Sequence, residues 1–193
     1  MLKQKITFGS SAKLMVRESD KSALRYRETR QRLWDKVAHW RAAGLGWGNY
    51  YHQRLEDIYR FIIPAGMRVL EIGCAEGDLL AALKPSYGVG IDFSPQMIRQ
   101  AKEKYPQYKF RQVDAHDVNE DCEFDFVILS DLVNDLWDVQ AVFDRIHRVA
   151  SDHTRIVINT YSRVWELPLL LARSLRLAAP VLHQNWLTVK DLE

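Results

Sequence analysis

The sequence is short of the residues that build disulfide-linked, metal-bound or membrane-spanning proteins. Its two cysteines, Cys74 and Cys122, are too few for a disulfide framework. Its six histidines form no H-x-x-x-H pair and no Cys/His cluster, so we expect no metal site. No window approaches the roughly 18 uninterrupted apolar residues of a membrane-spanning helix. The first residues also lack the apolar core of a secretory signal, which predicts a cytoplasmic protein.

What remains is the composition of a soluble globular domain. Of the 193 residues, 47% are hydrophobic and 27% are charged, a balance that supports a sizeable core. The net charge of +2 is unevenly distributed, because residues 1–60 are basic on balance and residues 61–193 are acidic. A basic segment can attract nucleic acid, although a solvated helix face is the more ordinary interpretation.

The N-terminal part reads as a tail followed by helices. Residues 1–17 show no clear period, whereas residues 19–43 have apolar positions at helical spacing. The glycine-rich run at 44–49 interrupts the pattern, and a second helix is predicted over residues 50–62. We therefore divide the chain into a tail and lid helix (1–45) and a main domain (46–193).

From residue 67 onward, predicted strands alternate with predicted helices. Helices are expected from Asp78, from Ser94-Pro95 with serine as N-cap, and after residue 131, where apolar residues form one stripe. The stripe consists of Leu132, Leu136, Val139, Phe143 and Ile146. The strands are expected at residues 69–72, 87–91, 108–113, 124–129 and 155–160. This alternation predicts a doubly wound, Rossmann-like α/β fold with a mostly parallel sheet and N-terminal lid helices.

The most informative stretch is the first strand and the loop after it, Val-Leu-Glu-Ile-Gly-Cys-Ala-Glu-Gly at 69–77. Gly73 and Gly77 allow a sharp turn and a close approach of the backbone to a ligand. The dinucleotide fingerprint G-x-G-x-x-G requires a third glycine where this chain has Asp78, and Glu76 and Asp78 would repel a pyrophosphate. An NAD-dependent oxidoreductase is therefore an alternative that the sequence disfavours.

The spacing E-x-G-x-(G/A)-x-G resembles motif I of class I S-adenosylmethionine (SAM)-dependent methyltransferases. Glu71, Gly73, Ala75 and Gly77 are in register with that motif. The resemblance implies SAM as cofactor, with Asp92 on the ribose hydroxyls and Asp114 on the adenine amino group. It places the cofactor-binding residues at Tyr51, Glu71, Gly73, Cys74, Ala75, Gly77, Asp92, Phe93, Met97, Asp114, Ala115, His116 and Ser130.

The resemblance extends over about residues 50–192. The runs at 134–140, 159–165 and 184–186 are similar to a bacterial subgroup whose members are often joined to glycosyltransferase domains. Family members usually finish with two further strands, whereas residues 188–191 resemble the start of a helix. We therefore expect the C-terminal strands to be missing from this chain and a further domain to follow in its parent.

The predicted function is methyl transfer from SAM to a small molecule, such as a sugar or another biosynthetic intermediate. Transfer from a sulfonium needs mainly proximity and alignment, so the sequence nominates no catalytic residue. The candidates near the pocket are Tyr51, His52, Asp131, Asn134 and Tyr161. A SAM-binding module without turnover is an alternative. Nucleic acid is disfavoured as acceptor because the chain reads Ser-Asp-Leu-Val-Asn at 130–134, without a base-methylation signature.

Overall fold

Five parallel strands form one sheet in the order β3-β2-β1-β4-β5. The computed structural model describes residues 9–42 and 49–160. The strands are β1 (Arg68–Ile72), β2 (Tyr87–Asp92), β3 (Lys109–Gln112), β4 (Phe126–Ser130) and β5 (Arg155–Asn159). All five predicted strands are confirmed. The chain winds outward from β1 to β3 and then returns to β4, so the carboxyl ends of β1 and β4 flank the switch point where such sheets bind ligands.

Helices cover both faces of this sheet. They are α1 (Gly9–Ala42), α2 (Asn49–Ile62), α3 (Asp78–Ala82), α4 (Pro95–Lys104) and α5 (Val139–Val149). Short 3-10 turns occupy Ala115–Asp117 and Val133–Asp135. Among the described residues, no helix is long and apolar enough to cross a bilayer.

The central strands β1, β2 and β4 are buried on both sides, which explains their largely apolar sequences, whereas the edge strands β3 and β5 are more exposed. Leu70 and Ile72 of β1 belong to a cluster with Ile146 of α5. Val69 belongs to the opposite cluster, together with Leu80 of α3. Because side chains alternate along a strand, Glu71 shares the face of Val69, and its carboxylate is placed inside the core beneath the loop that follows β1.

Two helix predictions are corrected by the structure. Helix α1 begins at Gly9 rather than at about residue 19, so residues 9–17 belong to a helix and not to a tail. This segment contains no proline and is rich in Ala, Lys, Leu, Met and Arg, which sustain a helix without a regular apolar stripe.

The second correction concerns the stripe after β4. The chain first makes the 3-10 turn Val133–Asp135, and α5 begins only at Val139. Asp138 sets this start, because its side chain accepts a hydrogen bond from Ala141 N at 3.0 Å. The buried face of α5 is therefore Val142, Ile146 and Val149. The N-cap predicted for α4 is confirmed, since Ser94 Oγ accepts from Met97 N at 3.2 Å.

Candidate active site

The loop after β1, residues 71–77, is called the motif I loop from here on. Its backbone is left-handed at Gly73 (φ 77°), Ala75 (φ 45°) and Gly77 (φ 79°). Gly73 N and Cys74 N both donate to Ile91 O, at 2.8 and 2.9 Å, and pin the loop to β2. A Cβ on Gly77 would lie 2.6 Å from Phe110 Cζ, so only glycine fits there. The loop turns sharply and presents backbone at the carboxyl edge of the sheet, as the sequence predicted.

Asp92, the last residue of β2, is hydrogen-bonded to the motif I loop and to the start of α4. Its Oδ2 accepts from Ala75 N at 3.0 Å, and its Oδ1 accepts from Ser94 N at 2.8 Å. The residue is only 7% exposed. The motif I loop and the start of α4 therefore hold the Asp92 carboxylate in place at the end of β2.

Two acidic side chains, Glu71 and Asp92, are buried at the motif I loop. Glu71 is 3% exposed, and its Oε2 has no hydrogen-bond partner among the described residues. Burial raises the pKa of Glu71 well above its usual value, and the charges of Asp78 and Asp92 raise it further. Burial also raises the pKa of the Cys74 thiol, with Asp92 and Glu71 again contributing. A cationic ligand would be stabilised beside this loop, whereas a pyrophosphate would be repelled.

Glu76 and Asp78 contribute less negative charge to the motif I loop than the sequence suggested. Lys104 forms an ion pair with Asp78, and its Nζ lies 4.0 Å from Glu76 Oε2. Tyr105 Oη also donates to Asp78 Oδ1 at 2.6 Å. The electrostatic case against a pyrophosphate therefore depends mainly on Asp92, because burial raises the pKa of Glu71 and favours its uncharged form.

Asp114 follows β3 and is the third acidic residue at this edge. His116 Nδ1 lies 2.6 Å from Asp114 Oδ1, and His116 N donates to the same oxygen at 2.9 Å. Arg27 Nε of α1 lies 3.4 Å from Asp114 Oδ2. Burial opposes ionisation of Asp114, but the hydrogen bonds from His116 and the charge of Arg27 outweigh it and lower the carboxyl pKa below its usual value. Asp114 is therefore an ionised acceptor at the edge of the site.

Helix α1 supplies residues that sequence reasoning missed. Arg30 is 3% exposed and its Nη1 lies 2.6 Å from Asp135 Oδ1, and Trp34 Nε1 donates to Asp135 Oδ2 at 3.2 Å. Ser94 Oγ donates to Asp35. Arg27 and Arg30 thus pair with acidic loops of the sheet edge, and Arg30 is shielded from solvent. The one signal in the sequence was the excess of basic residues in the N-terminal part opposite an acidic remainder.

A second polar cluster lies at the carboxyl ends of β4 and β5; we call it the acceptor-side cluster (Tyr51, Tyr59, Asp131 and Asn159). Tyr51 Oη donates to Asp131 Oδ1 and Oδ2, at 2.9 and 3.0 Å. Asn159 Nδ2 donates to Asp131 Oδ1 at 2.6 Å, and Tyr59 Oη donates to Asn159 Oδ1 at 2.6 Å. Asp131 has φ 53°, in the left-handed region that Asp adopts more readily than most residues other than glycine.

The other predicted residues are distributed around these groups. Phe93 is half-buried after β2, and Met97 is buried in α4. Ala115 lies in the 3-10 turn after Asp114, and Ser130 ends β4 beside the Tyr59 hydroxyl. His52 packs edge-on against Tyr51, with ring centroids 5.6 Å apart.

One catalytic candidate is buried away from the open part of the site, and another lies outside the described residues. Asn134 is completely buried within its 3-10 turn. Tyr161 lies outside the described residues, as do the domain boundary near residue 45 and the predicted chain end. No group of three His, Cys, Asp or Glu side chains in residues 9–42 and 49–160 could hold a metal ion.

A family model described as a methyltransferase domain matches residues 63–190, more than half of the chain. The chain is 25% identical over 115 residues to demethylmenaquinone methyltransferase of Oceanobacillus iheyensis, covering 54% of this chain and 48% of that protein. It is 28% identical over 123 residues to phosphoethanolamine N-methyltransferase 2 of Caenorhabditis elegans, covering 58% of this chain and 28% of that protein. The chain thus spans less than half the length of these relatives.

Solved structures show the same fold. A methyltransferase in complex with the Haloferax volcanii Trm112 methyltransferase activator superimposes with a TM-score of 0.65 and 18% identity, covering 82% of this chain and 72% of that one. DhpI, in a complex described as DhpI-SAM-HEP, superimposes with a TM-score of 0.59 and 17% identity, covering 74% of this chain and 70% of that one. The family match, the sheet order and the motif I loop agree, and the chain belongs to the class I SAM-dependent methyltransferase superfamily.

Proposed function

We propose that this chain binds SAM at the carboxyl ends of β1, β2 and β3 and transfers its methyl group to a small molecule. The observation that supports this most strongly is the placement of Asp92 and Asp114 at the ends of neighbouring strands, on one side of the motif I loop. A single acidic residue at the end of a strand is common. Two of them beside a left-handed glycine loop form a site for an adenosine.

The residues present fit each part of that cofactor. Asp92 would accept the ribose hydroxyls, and Asp114 would accept the adenine amino group. Phe93, half-buried after β2, would form apolar contacts with the adenine ring, whereas Met97 is buried in α4 and has little surface to offer a ligand. The amino and sulfonium charges suit the acidic surroundings of Glu71. When bound, SAM supplies a methyl group that is already activated, so the protein has mainly to align the acceptor and exclude water.

The acceptor-side cluster would receive the methyl acceptor. Asp131 is held by one bifurcated hydrogen bond from Tyr51 Oη and by one hydrogen bond from Asn159 Nδ2, which fix its carboxylate in one orientation. A carboxylate so placed can accept a proton from an acceptor hydroxyl or amine, and general-base help matters most for a hydroxyl. The relatives named for phosphoethanolamine and demethylmenaquinone support a small-molecule acceptor. A cytoplasmic location is part of the same proposal.

The test is a transfer assay with SAM labelled on its methyl group. The chain is incubated with a panel of amino alcohols, amino sugars and quinols, and both S-adenosylhomocysteine (SAH) release and labelled product are measured. We expect transfer to at least one compound, at a rate that Asp131→Asn lowers and Asp152→Asn, on an exposed turn, leaves unchanged. Tight SAH binding without transfer to any compound would instead support a module without turnover.

A further inference from the structure

The geometry points to His116 as a positioning residue that orients Asp114 so that the site selects a 6-aminopurine over a 6-oxopurine. This inference rests on the proposed function and deepens it, because it assigns how the base of the cofactor is chosen. The family resemblance alone places His116 among the cofactor ligands. In the structure both of its ring nitrogens are engaged by protein groups, so its side chain acts through Asp114.

The hydrogen bonds determine which nitrogen of His116 carries the proton. Asp138 N donates to His116 Nε2 at 3.1 Å, and a backbone N–H can only donate, so Nε2 is the unprotonated acceptor. The proton of the neutral ring is therefore on Nδ1, which donates to Asp114 Oδ1 at 2.6 Å. The imidazole connects the N-cap residue of α5 to the acidic residue that follows β3.

This arrangement uses the two oxygens of Asp114 differently. Oδ1 accepts from both Nδ1 and the backbone N of His116, which occupies its two lone pairs. Oδ2 makes only a longer contact, 3.4 Å, with Arg27 Nε, which forms no hydrogen bond within the described residues. Oδ2 is therefore the oxygen with acceptor capacity for a ligand, and His116 fixes where that oxygen lies.

An ionised oxygen in a fixed position discriminates between purines by hydrogen-bond direction. The 6-amino group of adenine can donate to Oδ2. The 6-oxo group of hypoxanthine would bring a second acceptor against it and leave both without a donor, which is costly in a partly buried site. A carboxylate that could rotate would discriminate less, because it could turn Oδ2 away.

The experiment compares SAH with S-inosylhomocysteine by isothermal titration calorimetry on the full chain. The variants are His116→Asn and His116→Gln. The amide nitrogen of Asn lies as many bonds from the backbone as Nδ1, the nitrogen that donates to Asp114. The amide nitrogen of Gln lies as many bonds away as Nε2, which does not. We expect the wild-type chain to bind SAH about tenfold or more tightly than S-inosylhomocysteine. His116→Asn should keep most of this ratio of affinities. His116→Gln should reduce it to about threefold or less, mainly through weaker SAH binding.

His147→Gln, on an exposed position of α5, serves as the control and should keep the wild-type ratio. A purely structural role for His116 would change thermal stability in both variants and leave the ratio unchanged, and that result would overturn the inference. Equal wild-type affinity for the two nucleosides would also overturn it while leaving the cofactor class intact. Failure of wild type to bind SAH would count against the proposed function itself.

Discussion

The carboxylate of Asp92 accepts a hydrogen bond from the backbone N–H of Ala75, with 3.0 Å between Oδ2 and N. Its other oxygen accepts from Ser94 N at 2.8 Å. One acidic side chain thus holds together the motif I loop, the end of β2 and the start of α4. The group proposed to bind the ribose also shapes the loop that would bind the methionine part, so the site is organised before the cofactor arrives.

Asp92→Ala should therefore weaken SAH binding and destabilise the fold together. Removing the carboxylate eliminates the proposed ribose contacts, and we expect at least about a tenfold loss of affinity. It also leaves Ala75 N and Ser94 N without their acceptor, which should lower the free energy of unfolding by about 2 kcal/mol. Calorimetry and urea denaturation measure the two effects. A folded variant with wild-type affinity would show that Asp92 does not bind the cofactor.

Two substitutions in the motif I loop should have opposite effects on stability. Ala75→Gly relieves a left-handed alanine, a gain of about 1 kcal/mol that the greater freedom of glycine in the unfolded chain partly offsets. Gly77→Ala adds backbone strain and a contact of 2.6 Å with Phe110, and should destabilise the chain by about 2 kcal/mol. Urea denaturation of both variants is the measurement. Destabilisation by Ala75→Gly would mean that its backbone is not left-handed in solution.

Glu71→Gln should stabilise the chain in a pH-dependent way. The folded-state pKa of Glu71 is raised, so the folded protein binds more protons than the unfolded one and wild-type stability falls as pH rises above the usual value of 4.5. Glutamine cannot ionise, so the variant does not lose stability as pH rises. Its side-chain oxygen can still accept the hydrogen bond from the Leu80 backbone. The melting temperature of the variant should equal that of wild type near pH 4 and exceed it increasingly toward neutral pH. A constant difference across that range would contradict the assignment.

Asp131→Asn should separate methyl transfer from cofactor binding. If Asp131 accepts the proton of an acceptor hydroxyl, its loss should lower kcat by about a hundredfold or more. SAH affinity should change by less than about threefold, because Asp92 and Asp114 are untouched. Tyr51→Phe, which removes the hydroxyl that orients both oxygens of Asp131, should have a smaller effect in the same direction. Equal losses of kcat and of SAH affinity would instead assign Asp131 to the cofactor.

The sheet and the motif I loop were predictable from the sequence because their signals are local. Most strands contain a short apolar run, and the acidic residues Asp92 and Asp114 lie at or just beyond the ends of two of them. The start of α5 was not predictable by periodicity, because Leu132 and Leu136 continue the apolar spacing across a 3-10 turn.

The contacts of α1 and α2 with the sheet edge could not be predicted, because they join residues that are far apart in the sequence. Arg30 meets Asp135 across a separation of 105 residues, and Tyr51 meets Asp131 across 80. Neither pair leaves a pattern in the sequence, since an arginine on a helix looks the same whether it faces water or an acidic loop. The acceptor-side cluster likewise exists only because the fold brings α2 against the ends of β4 and β5.

The central claim is that the carboxyl edge of β1, β2 and β3 is a SAM site, and parallel calorimetric titrations with SAM, SAH and NAD test it most directly. We predict micromolar dissociation constants for SAM and SAH and no detectable binding of NAD. Binding of NAD, or wild-type SAH affinity in a folded Asp92→Ala variant, would contradict the account.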